Sequence, residues 1–426
     1  MKVLLISANR TEVNMRTIPL GLACVATAVR HAGHTVQMLD LMEAKDPASA
    51  LANAIHRLEP EVIGVSLRNI DDQSMRKPQV FLDEGYRIIE LAKNLSKAIV
   101  VLGGAGYSIF PEAILAHSKA DMGIQGEGEG TFVLLLESLE SGQSLAGLPG
   151  LYVKNQGLQG KKIYKSKLDQ FPPPEADLFS GRQVQKKDVI APVQSRRGCP
   201  MGCAYCSTRI IEGSKIRTRS TTKLVELIAR LSRKGVRQLY FVDNTFNLPV
   251  RYAKDLCREM IKASLNVSWQ CIIYPYKMDD ALASGMADAG CTEASIGFEN
   301  GSNRMLQAMN KRFQREDVIQ ACELLKKKGI RCMGFLLLGG PGETRQSVEE
   351  SLAFADSLDL ESLKITLGIR IYPHTALARH AKKEHVIAFG DDLLFPKFYM
   401  APGLEEWARE TILTYTETRP NWILER

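Results

Sequence analysis

The sequence predicts an α/β protein made of two successive series of strands and helices. Residues 1 to about 140 alternate short apolar runs with helical segments, which predicts a doubly wound, Rossmann-like parallel sheet. From about residue 189 the alternation resumes, and six further strand–helix units can be traced. The composition agrees, because 426 residues, 45% of them hydrophobic and 24% charged, can bury the cores of two or three domains.

The N-terminal domain, residues 1–140, has five apolar runs that are predicted strands: 3–7, 36–41, 62–67, 99–102 and 122–124. A helix is predicted over 20–32. Polar or glycine-rich segments follow the last three strands, at 66–69, 103–106 and 126–129. Ligands of a doubly wound sheet bind at the carboxyl ends of its strands. This pattern therefore favours a ligand site there, and the alternative is that the glycines only make turns in a domain that binds nothing.

A Rossmann dinucleotide site is the first candidate for that ligand. It requires GxGxxG after the first strand, but the turn at that point is Ala8-Asn9-Arg10-Thr11. Nicotinamide or flavin dinucleotides are therefore not expected.

Residues 141–188 are predicted to be a linker. Two apolar segments, 151–153 and 162–164, flank a polar, glycine-containing stretch and predict a hairpin. Phe171-Pro-Pro-Pro174 then interrupts regular structure and marks a domain boundary.

The second series of elements occupies residues 189–375. Its predicted strands are 190–195, 238–243, 267–273, 293–298, 331–338 and 363–371, and its predicted helices are 222–234, 251–264, 278–289, 314–328 and 346–358. A C-terminal extension, 376–426, contains an aromatic-rich segment, 391–400. This segment either closes over a site at the carboxyl ends of the strands or packs as an ordinary tail.

Three cysteines in eight residues, Cys199, Cys203 and Cys206, form the most informative motif. Three thiolates in CxxxCxxC spacing can hold one rim of a cubane iron–sulfur cluster and leave the fourth iron open to a small molecule. A zinc knuckle would need a second cysteine pair or histidines, and a disulfide framework would be unusual in a long chain without a secretory segment. The other cysteines are scattered singly among apolar residues and are predicted to be buried: Cys24, Cys257, Cys271, Cys291, Cys322 and Cys332.

The cysteine spacing, with the aromatic Tyr205 directly before the last cysteine, resembles the signature of radical S-adenosylmethionine (SAM) enzymes. Segments 243–246, 297–301 and 334–344, at predicted strand ends, are similar to this superfamily as well. The resemblance implies a partial (β/α)6 radical SAM barrel with a 4Fe–4S cluster on the three cysteines and SAM on the open iron. It also implies a set of SAM-binding residues: Tyr205, Asp243, Glu299, Gly339, Gly340 and Pro341.

The N-terminal domain resembles the cobalamin-binding domain that precedes the radical SAM domain in some of these enzymes. The matching positions imply cobalamin-binding residues: Leu20, Gly21, Ser66, Arg68, Gly103, Gly104, Gly126 and Glu127. Domains that ligate cobalt through histidine carry DxHxxG after the first strand, whereas this chain has no histidine before His31. The resemblance therefore implies cobalamin bound base-off without a histidine on cobalt.

Both cofactors together imply a cobalamin-dependent radical SAM methyltransferase. In such enzymes reductive cleavage of SAM gives a 5′-deoxyadenosyl radical, which abstracts hydrogen, and methylcobalamin then transfers a methyl group to an unactivated carbon. A cobalamin-containing radical SAM cyclase or rearrangement enzyme is the alternative within enzymes. A methylthiotransferase would need further cluster cysteines in the N-terminal third, and a cobalamin-binding sensor is the non-enzymatic alternative. No catalytic acid or base is identified.

The expected partners follow from charge and chemistry. The formal charge of +7 is modest and diffuse, so a nucleic-acid substrate is not expected. The substrate class stays open between a small molecule, a lipid and a peptide, and an electron donor such as flavodoxin or ferredoxin is expected. No apolar run approaches the length of a membrane span and no signal peptide is expected, so we expect a cytoplasmic protein.

Overall fold

The computed structural model describes residues 1–11, 18–42, 44–179 and 190–425. The contacts divide the chain into two compact units. The first consists of Met1–Asp72, Gln79–Lys187 and Ile210–Gly213, and the second of Gln73–Pro78, Asp188–Arg209 and Ser214–Arg426. The predicted boundary at residue 188 lies outside the described residues.

The first unit is built on one sheet. Its strands are β1 (Lys2–Ser7), β2 (Thr35–Asp40), β3 (Val62–Ser66), β4 (Ile99–Gly103), β5 (Met122–Ile124), β6 (Leu151–Val153) and β7 (Gly157–Leu158). Its helices are α1 (Leu20–His31), α2 (Pro47–Leu58), α3 (Leu82–Leu95), α4 (Ala105–Ile109), α5 (Pro111–His117) and α6 (Gly128–Ser141), and two short 3-10 helices follow at Leu168–Gln170 and Ala176–Phe179.

The strand order in this sheet is β2-β1-β3-β4-β5-β6-β7, and the first five strands are parallel. Strand β1 is apolar because both of its faces are covered: Val3, Leu4 and Ile6 are fully buried. Helices α1 and α6 pack against the sheet through a core that includes Leu22 and Phe132. The strand order reverses at β1 and β3, and in doubly wound sheets the ligand crevice opens at that point.

The predicted hairpin exists, but its second strand was placed wrongly. Strand β6 pairs with Gly157–Leu158 rather than with residues 162–164. The reason is a tighter turn, because Asn155 takes a left-handed φ of 63° and brings the chain back sooner than the apolar pattern suggests. Since β5 and β6 are antiparallel neighbours, this part of the predicted linker extends the first sheet.

The second unit contains the longer strand series. Its strands are β8 (Ala191–Val193), β9 (Arg196–Arg197), β10 (Arg217–Thr218), β11 (Gln238–Phe241), β12 (Ser268–Ile273), β13 (Cys291–Glu299), β14 (Arg331–Leu338), β15 (Ser362–Leu367), β16 (Ile369–Arg370), β17 (Phe398–Tyr399) and β18 (Trp422–Leu424). Helix α7 (Thr208–Glu212) spans the division between the two units. The helices that follow are α8 (Thr221–Arg233), α9 (Val250–Lys262), α10 (Asp280–Asp288), α11 (Asn303–Ala308), α12 (Arg315–Lys327), α13 (Arg345–Ser357), α14 (Ala376–Lys383) and α15 (Glu405–Glu417).

The main sheet of this unit has seven parallel strands in the order β18-β15-β14-β13-β12-β11-β8. Six of them are the predicted strands in sequence order, an arrangement typical of an open parallel barrel. The seventh, β18, comes from the C-terminal extension and was not predicted, because three residues are too short to show a strand pattern. The long predicted strand 363–371 divides at Gly368 into β15 and β16.

Burial alternates along the barrel strands. In β14 every second residue from Cys332 to Leu338 is buried, whereas Met333, Phe335 and Leu337 between them are partly exposed. The buried set lies on the side covered by helices, as the ring contact between Phe298 of β13 and Phe354 of α13 shows. The other set lines the inner face, and the turns at the carboxyl ends of these strands carry the predicted site residues.

Candidate functional site

The three cysteines of the motif lie on one loop that follows β9. All three cysteines are half-buried, and among the residues that the structure describes none of them is in a disulfide. Burial raises the pKa of Cys203 to about 11, the nearby Cys206 and Cys199 act in the same direction, and the ammonium group of Lys311 opposes the shift. Metal binding stabilises thiolates that burial disfavours, so the loop suits a metal cluster better than free thiols.

The side chains around this loop do not form a site for a single metal ion among the described residues. Within the described part of the chain, no group of three or more His, Cys, Asp or Glu side chains converges in that way. The thiol of Cys206 donates to Oγ1 of Thr208 at 3.3 Å, and Thr208 Oγ1 lies 3.4 Å from Oδ1 of Asn244. Three thiols on one loop fit a cubane cluster that leaves one iron open.

A buried polar network lies directly beside the cysteines. The hydroxyl of Tyr205 donates to Oε1 of Glu299 at 2.8 Å. Nζ of Lys311 donates to Tyr205 Oη at 2.9 Å and to Glu299 Oε1 at 3.1 Å. The Lys311 and Glu299 side chains are only 4% and 14% exposed. The structure thus brings together two predicted SAM-binding residues and adds a lysine that the sequence analysis missed.

The protonation of this network follows from its charges. Burial raises the pKa of Tyr205 well above its usual range, and the Glu299 carboxylate adds to that shift. Burial alone would lower the pKa of Lys311, but Glu299 and Tyr205 outweigh it and the net shift is upward. Both shifts favour a neutral phenol at Tyr205 and an ammonium group at Lys311.

Glu299 reaches this position through an irregular strand end. Its φ is 63°, and the register between β13 and β14 shifts between Gly297 and Glu299. Such bulges redirect side chains at functional sites.

Asp243, predicted to bind SAM, is fully buried and already has partners. Its Oδ1 accepts from the backbone N–H groups of Ser195 at 2.8 Å and Arg196 at 3.1 Å. Its Oδ2 accepts from the Ser195 hydroxyl and lies 3.3 Å from Nε of Arg196. Burial raises the pKa of Asp243, and Arg196 opposes the shift. Both oxygens hold the ends of β8 and β11 together, and a direct contact with SAM stays a prediction.

The predicted SAM-binding glycines form a turn that is organised by Glu343. The N–H groups of Gly339 and Gly340 donate to Glu343 Oε2 at 2.6 and 3.0 Å, and Nδ2 of Asn300 donates to Oε1 at 2.7 Å. Burial raises the pKa of Glu343, and these donors oppose the shift. Pro341 follows in the same turn at a half-buried position. Glu343 lies in the segment 334–344 but was not among the predicted SAM-binding residues.

The aromatic-rich segment 391–400 is packed at the same end of the strands. Strand β17 pairs with β16, and the buried guanidinium of Arg370 donates to the carbonyl of Leu393 at 3.0 Å. Met400 abuts the glycine turn, since a Cβ on Gly339 would lie 2.7 Å from Sδ of Met400. The segment is an integral part of the second unit, and closure over a substrate stays a prediction.

In the first unit, the predicted cobalamin-binding residues gather at the carboxyl edge of the sheet. Ser66 and Gly103 end β3 and β4, Gly126 and Glu127 follow β5, and Leu20 and Gly21 begin α1. Arg68 is exposed on the segment after β3. Gly104 lies where a Cβ would be 2.5 Å from the carbonyl oxygen of Leu67 and 2.9 Å from Oγ of Ser66, so the β3 and β4 ends meet closely.

Two of these glycines border open space. In the part of the chain that the structure describes, a Cβ on Gly21 or Gly103 would have no atom within 4 Å beyond its own local backbone, and neither residue has a positive φ. The fold itself therefore does not require glycine at these positions. A missing side chain beside a ligand crevice is what a bulky cofactor needs in order to approach the backbone, so the residues present fit cobalamin.

Two protein-family models match the chain, one mostly over residues of the first unit and one mostly over residues of the second. The B12 binding domain model matches residues 6–136, and the Radical SAM superfamily model matches residues 193–355. The fold and the cysteine loop thus define a radical SAM protein with an N-terminal B12-binding domain. The chain thus carries a B12-binding domain followed by a radical SAM domain, and these two domains imply a 4Fe–4S cluster, SAM and cobalamin as cofactors.

Relatives of known sequence extend over most of the chain. An uncharacterised methyltransferase of Pyrococcus horikoshii is 28% identical over 393 residues, which cover 89% of this chain and 83% of that protein. Tryptophan 2-C-methyltransferase of Streptomyces laurentii is 23% identical over 439 residues, covering 87% and 73%. Among solved structures, the radical SAM methyltransferase TsrM of Kitasatospora setae, with cobalamin and a [4Fe–4S] cluster bound, matches with a TM-score of 0.87 at 22% identity, covering 100% of this chain and 91% of that one.

These comparisons confirm the predicted family and the predicted fold class. They do not test the individual SAM-binding and cobalamin-binding residues, which stay predictions. Among the described helices, none is both long and apolar enough to span a membrane.

Proposed function

We propose that this protein is a cobalamin-dependent radical SAM methyltransferase that methylates an unactivated carbon of a small-molecule substrate. The observation that carries the proposal is the cysteine loop beside the Tyr205–Glu299–Lys311 network, in a chain that also has a B12-binding domain. The methyltransferase relatives that span most of the chain support methyl transfer in particular.

The cofactors supply the difficult chemistry when they are bound: the cluster with SAM supports hydrogen abstraction from carbon, and cobalamin carries the methyl group. The protein's part is binding, orientation and exclusion of water. Cys199, Cys203 and Cys206 hold the cluster. Tyr205 and Glu299 present a hydroxyl and a carboxylate oxygen, which suit the ammonium group of SAM.

The two other carboxylates shape the site in this proposal. Asp243 fixes the ends of β8 and β11 through Ser195 and Arg196. Glu343 fixes the glycine turn through the Gly339 and Gly340 amides. In this proposal both carboxylates act as positioning residues. In the first unit, the open space beside Gly21 and Gly103 would admit the cofactor to the carboxyl edge of the sheet.

The partners in this proposal are a small-molecule substrate, with a lipid or a peptide as alternatives, and a one-electron donor such as flavodoxin or ferredoxin. We place the protein in the cytoplasm, where thiols stay reduced. Nucleic acid is not among the proposed substrates.

The test begins with anaerobic reconstitution of the full chain with iron, sulfide and cobalamin. About four irons and about one cobalt per chain are expected. The variant Cys203→Ala should lose the iron and the cluster absorbance and keep the cobalt. Cys257→Ala, which changes a buried cysteine of α9, is the matched control and should keep both metals.

Catalysis is then assayed with SAM that carries a labelled methyl group, against pools of candidate small molecules. Label in a product, together with 5′-deoxyadenosine, supports the proposal. SAM cleavage with an unlabelled, rearranged or cyclised product would favour a cyclase instead. Cobalamin binding without any SAM cleavage under reducing conditions would favour a sensor.

A further inference from the structure

Residues 309–311, directly after α11, each form a hydrogen bond with the cysteine loop. The N–H of Ala204 donates to the carbonyl of Met309 at 3.0 Å. Nδ2 of Asn310 donates to the carbonyl of Gly202 at 2.7 Å, and Nζ of Lys311 donates to Tyr205 Oη at 2.9 Å. Three consecutive residues of the segment thus contact the part of the loop that carries Cys203.

Lys311 places a positive charge inside this contact. Its side chain is 4% exposed, and Nζ lies 5.3 Å from the ring centroid of Tyr205 and 5.8 Å from that of Phe313. Burying an ammonium group is costly unless it is paired. A side chain needed only for packing would be apolar here, whereas this one has the carboxylate of Glu299 as its charged partner.

The charge lies within electrostatic reach of the cluster ligands. The ammonium group of Lys311 donates to the hydroxyl of Tyr205, which lies directly before Cys206 and two residues after Cys203 in the loop. A cluster held by thiolates becomes more negative when it accepts an electron. A fixed positive charge nearby therefore stabilises its reduced form, since charges and hydrogen bonds around the sulfurs set cluster potentials.

We propose that Lys311 is a positioning residue that holds Tyr205 against Glu299 and that its charge raises the reduction potential of the cluster. This inference rests on the cluster that belongs to the proposed function. It adds a role for a residue outside the cysteine motif, in the step that prepares the cluster for SAM cleavage.

The experiment measures the cluster potential by anaerobic redox titration, followed by electron paramagnetic resonance, without SAM. Lys311→Met removes the positive charge and should shift the potential to a more negative value. Lys311→Arg keeps the charge and should stay close to wild type. Glu299→Gln removes the negative charge and should shift the potential to a more positive value. Tyr205→Phe removes a hydrogen bond and no charge, so its shift should be much smaller than either.

Lys326→Met is the matched control. This lysine pairs with Asp359 at 2.8 Å at the end of α12, near the start of β14 and so at the opposite end of the strands. Its removal should leave the potential unchanged. Iron content and thermal melting of each variant show whether it folds and holds its cluster.

Opposite shifts in Lys311→Met and Glu299→Gln support the inference. Equal potentials in wild type and iron-loaded Lys311→Met would overturn the inference. Potential shifts of the same sign in Lys311→Met, Glu299→Gln and Tyr205→Phe would also overturn it, because a loosened loop would have the same effect in each variant. If Lys311→Met cannot hold iron, the inference is decided by the other two variants. The sign of the potential shift in Glu299→Gln is then compared with that in Tyr205→Phe.

Failure of the proposed function gives a different result. Wild-type protein with a normal cluster but no methyl transfer would contradict the methyltransferase, while the potentials would still decide the role of Lys311. Wild-type protein without a cluster would overturn both.

Discussion

The glycine turn after β14 offers a sharp test of how the C-terminal segment supports the site. Gly339 has a φ of 98°, and a Cβ placed there would lie 2.7 Å from Sδ and 2.9 Å from Cε of Met400. Gly342 in the same turn has a φ of 78°, and the nearest atom to its Cβ would be Nη1 of Arg304 at 3.6 Å. Gly339→Ala and Gly342→Ala therefore both place alanine in left-handed backbone, but only the Gly339→Ala methyl group would clash with a neighbouring side chain.

The magnitudes can be worked out from these contacts. A non-glycine residue in left-handed backbone costs about 1–2 kcal/mol, and both variants incur that cost. Forcing a methyl group into a well-packed contact adds about 1–3 kcal/mol, and only Gly339→Ala incurs it. We therefore expect Gly339→Ala to lose about 3 kcal/mol of unfolding free energy and Gly342→Ala about half as much.

The assay uses the protein's own fluorescence. All three tryptophans, Trp269, Trp407 and Trp422, belong to the second unit, so tryptophan emission during urea titration reports that unit. The double variant Gly339→Ala/Met400→Ala removes the crowding side chain. In a double-mutant cycle of Gly339→Ala and Met400→Ala, the coupling free energy between the two substitutions should be at least about 1 kcal/mol.

Two results would refute the reasoning. One is equal destabilisation by Gly339→Ala and Gly342→Ala, which would mean that Met400 does not press on the turn. The other is strict additivity in the cycle, which would mean that the two residues do not share a contact.

Two further predictions concern the other features of the fold. Gly103→Val fills the open space at the end of β4 and should lower cobalamin retention at least tenfold, measured by absorbance after gel filtration. Gly390→Val, at an equally open position of the second unit, should leave retention unchanged, and an equal loss in both would contradict the assignment. The pKa of Asp356 is lowered by its hydrogen bonds to Arg419, so this pair stabilises the fold above the usual carboxyl pKa, near 4, and loses its effect as the pH falls through the folded value. Arg419→Met should therefore be less stable than wild type at pH 7 and converge with it in acid, whereas a constant difference would argue against the ion pair.

The sequence was sufficient for most of the strands. Residues 62–67, 99–102 and 331–338 are apolar runs bounded by glycine or polar residues, and such runs are visible without a structure. Strand β18 was not visible, since its three residues become a strand only when they pair with β15.

The site could be predicted only in part. The cysteines were found because spacing alone restricts their chemistry. Lys311 was missed because it lies in Asn310-Lys311-Arg312, a polar stretch that looks solvated, and its burial depends on Tyr205, more than a hundred residues earlier in the chain. Asp243 shows the opposite case. An aspartate at a strand end suggests a ligand, which stays a prediction, and the sequence could not show that Ser195 and Arg196 donate hydrogen bonds to it.

The contact between Met400 and the glycine turn also bears on oxidative damage. Met400 is half-buried, and oxidation would attach an oxygen atom to a sulfur that already abuts Gly339. The added oxygen atom would crowd the same contact as a methyl group on Gly339. Protein exposed to air would therefore carry a second lesion besides a lost cluster, and adding iron and sulfide back would not repair it. Methionine sulfoxide reductase acts on that second lesion alone.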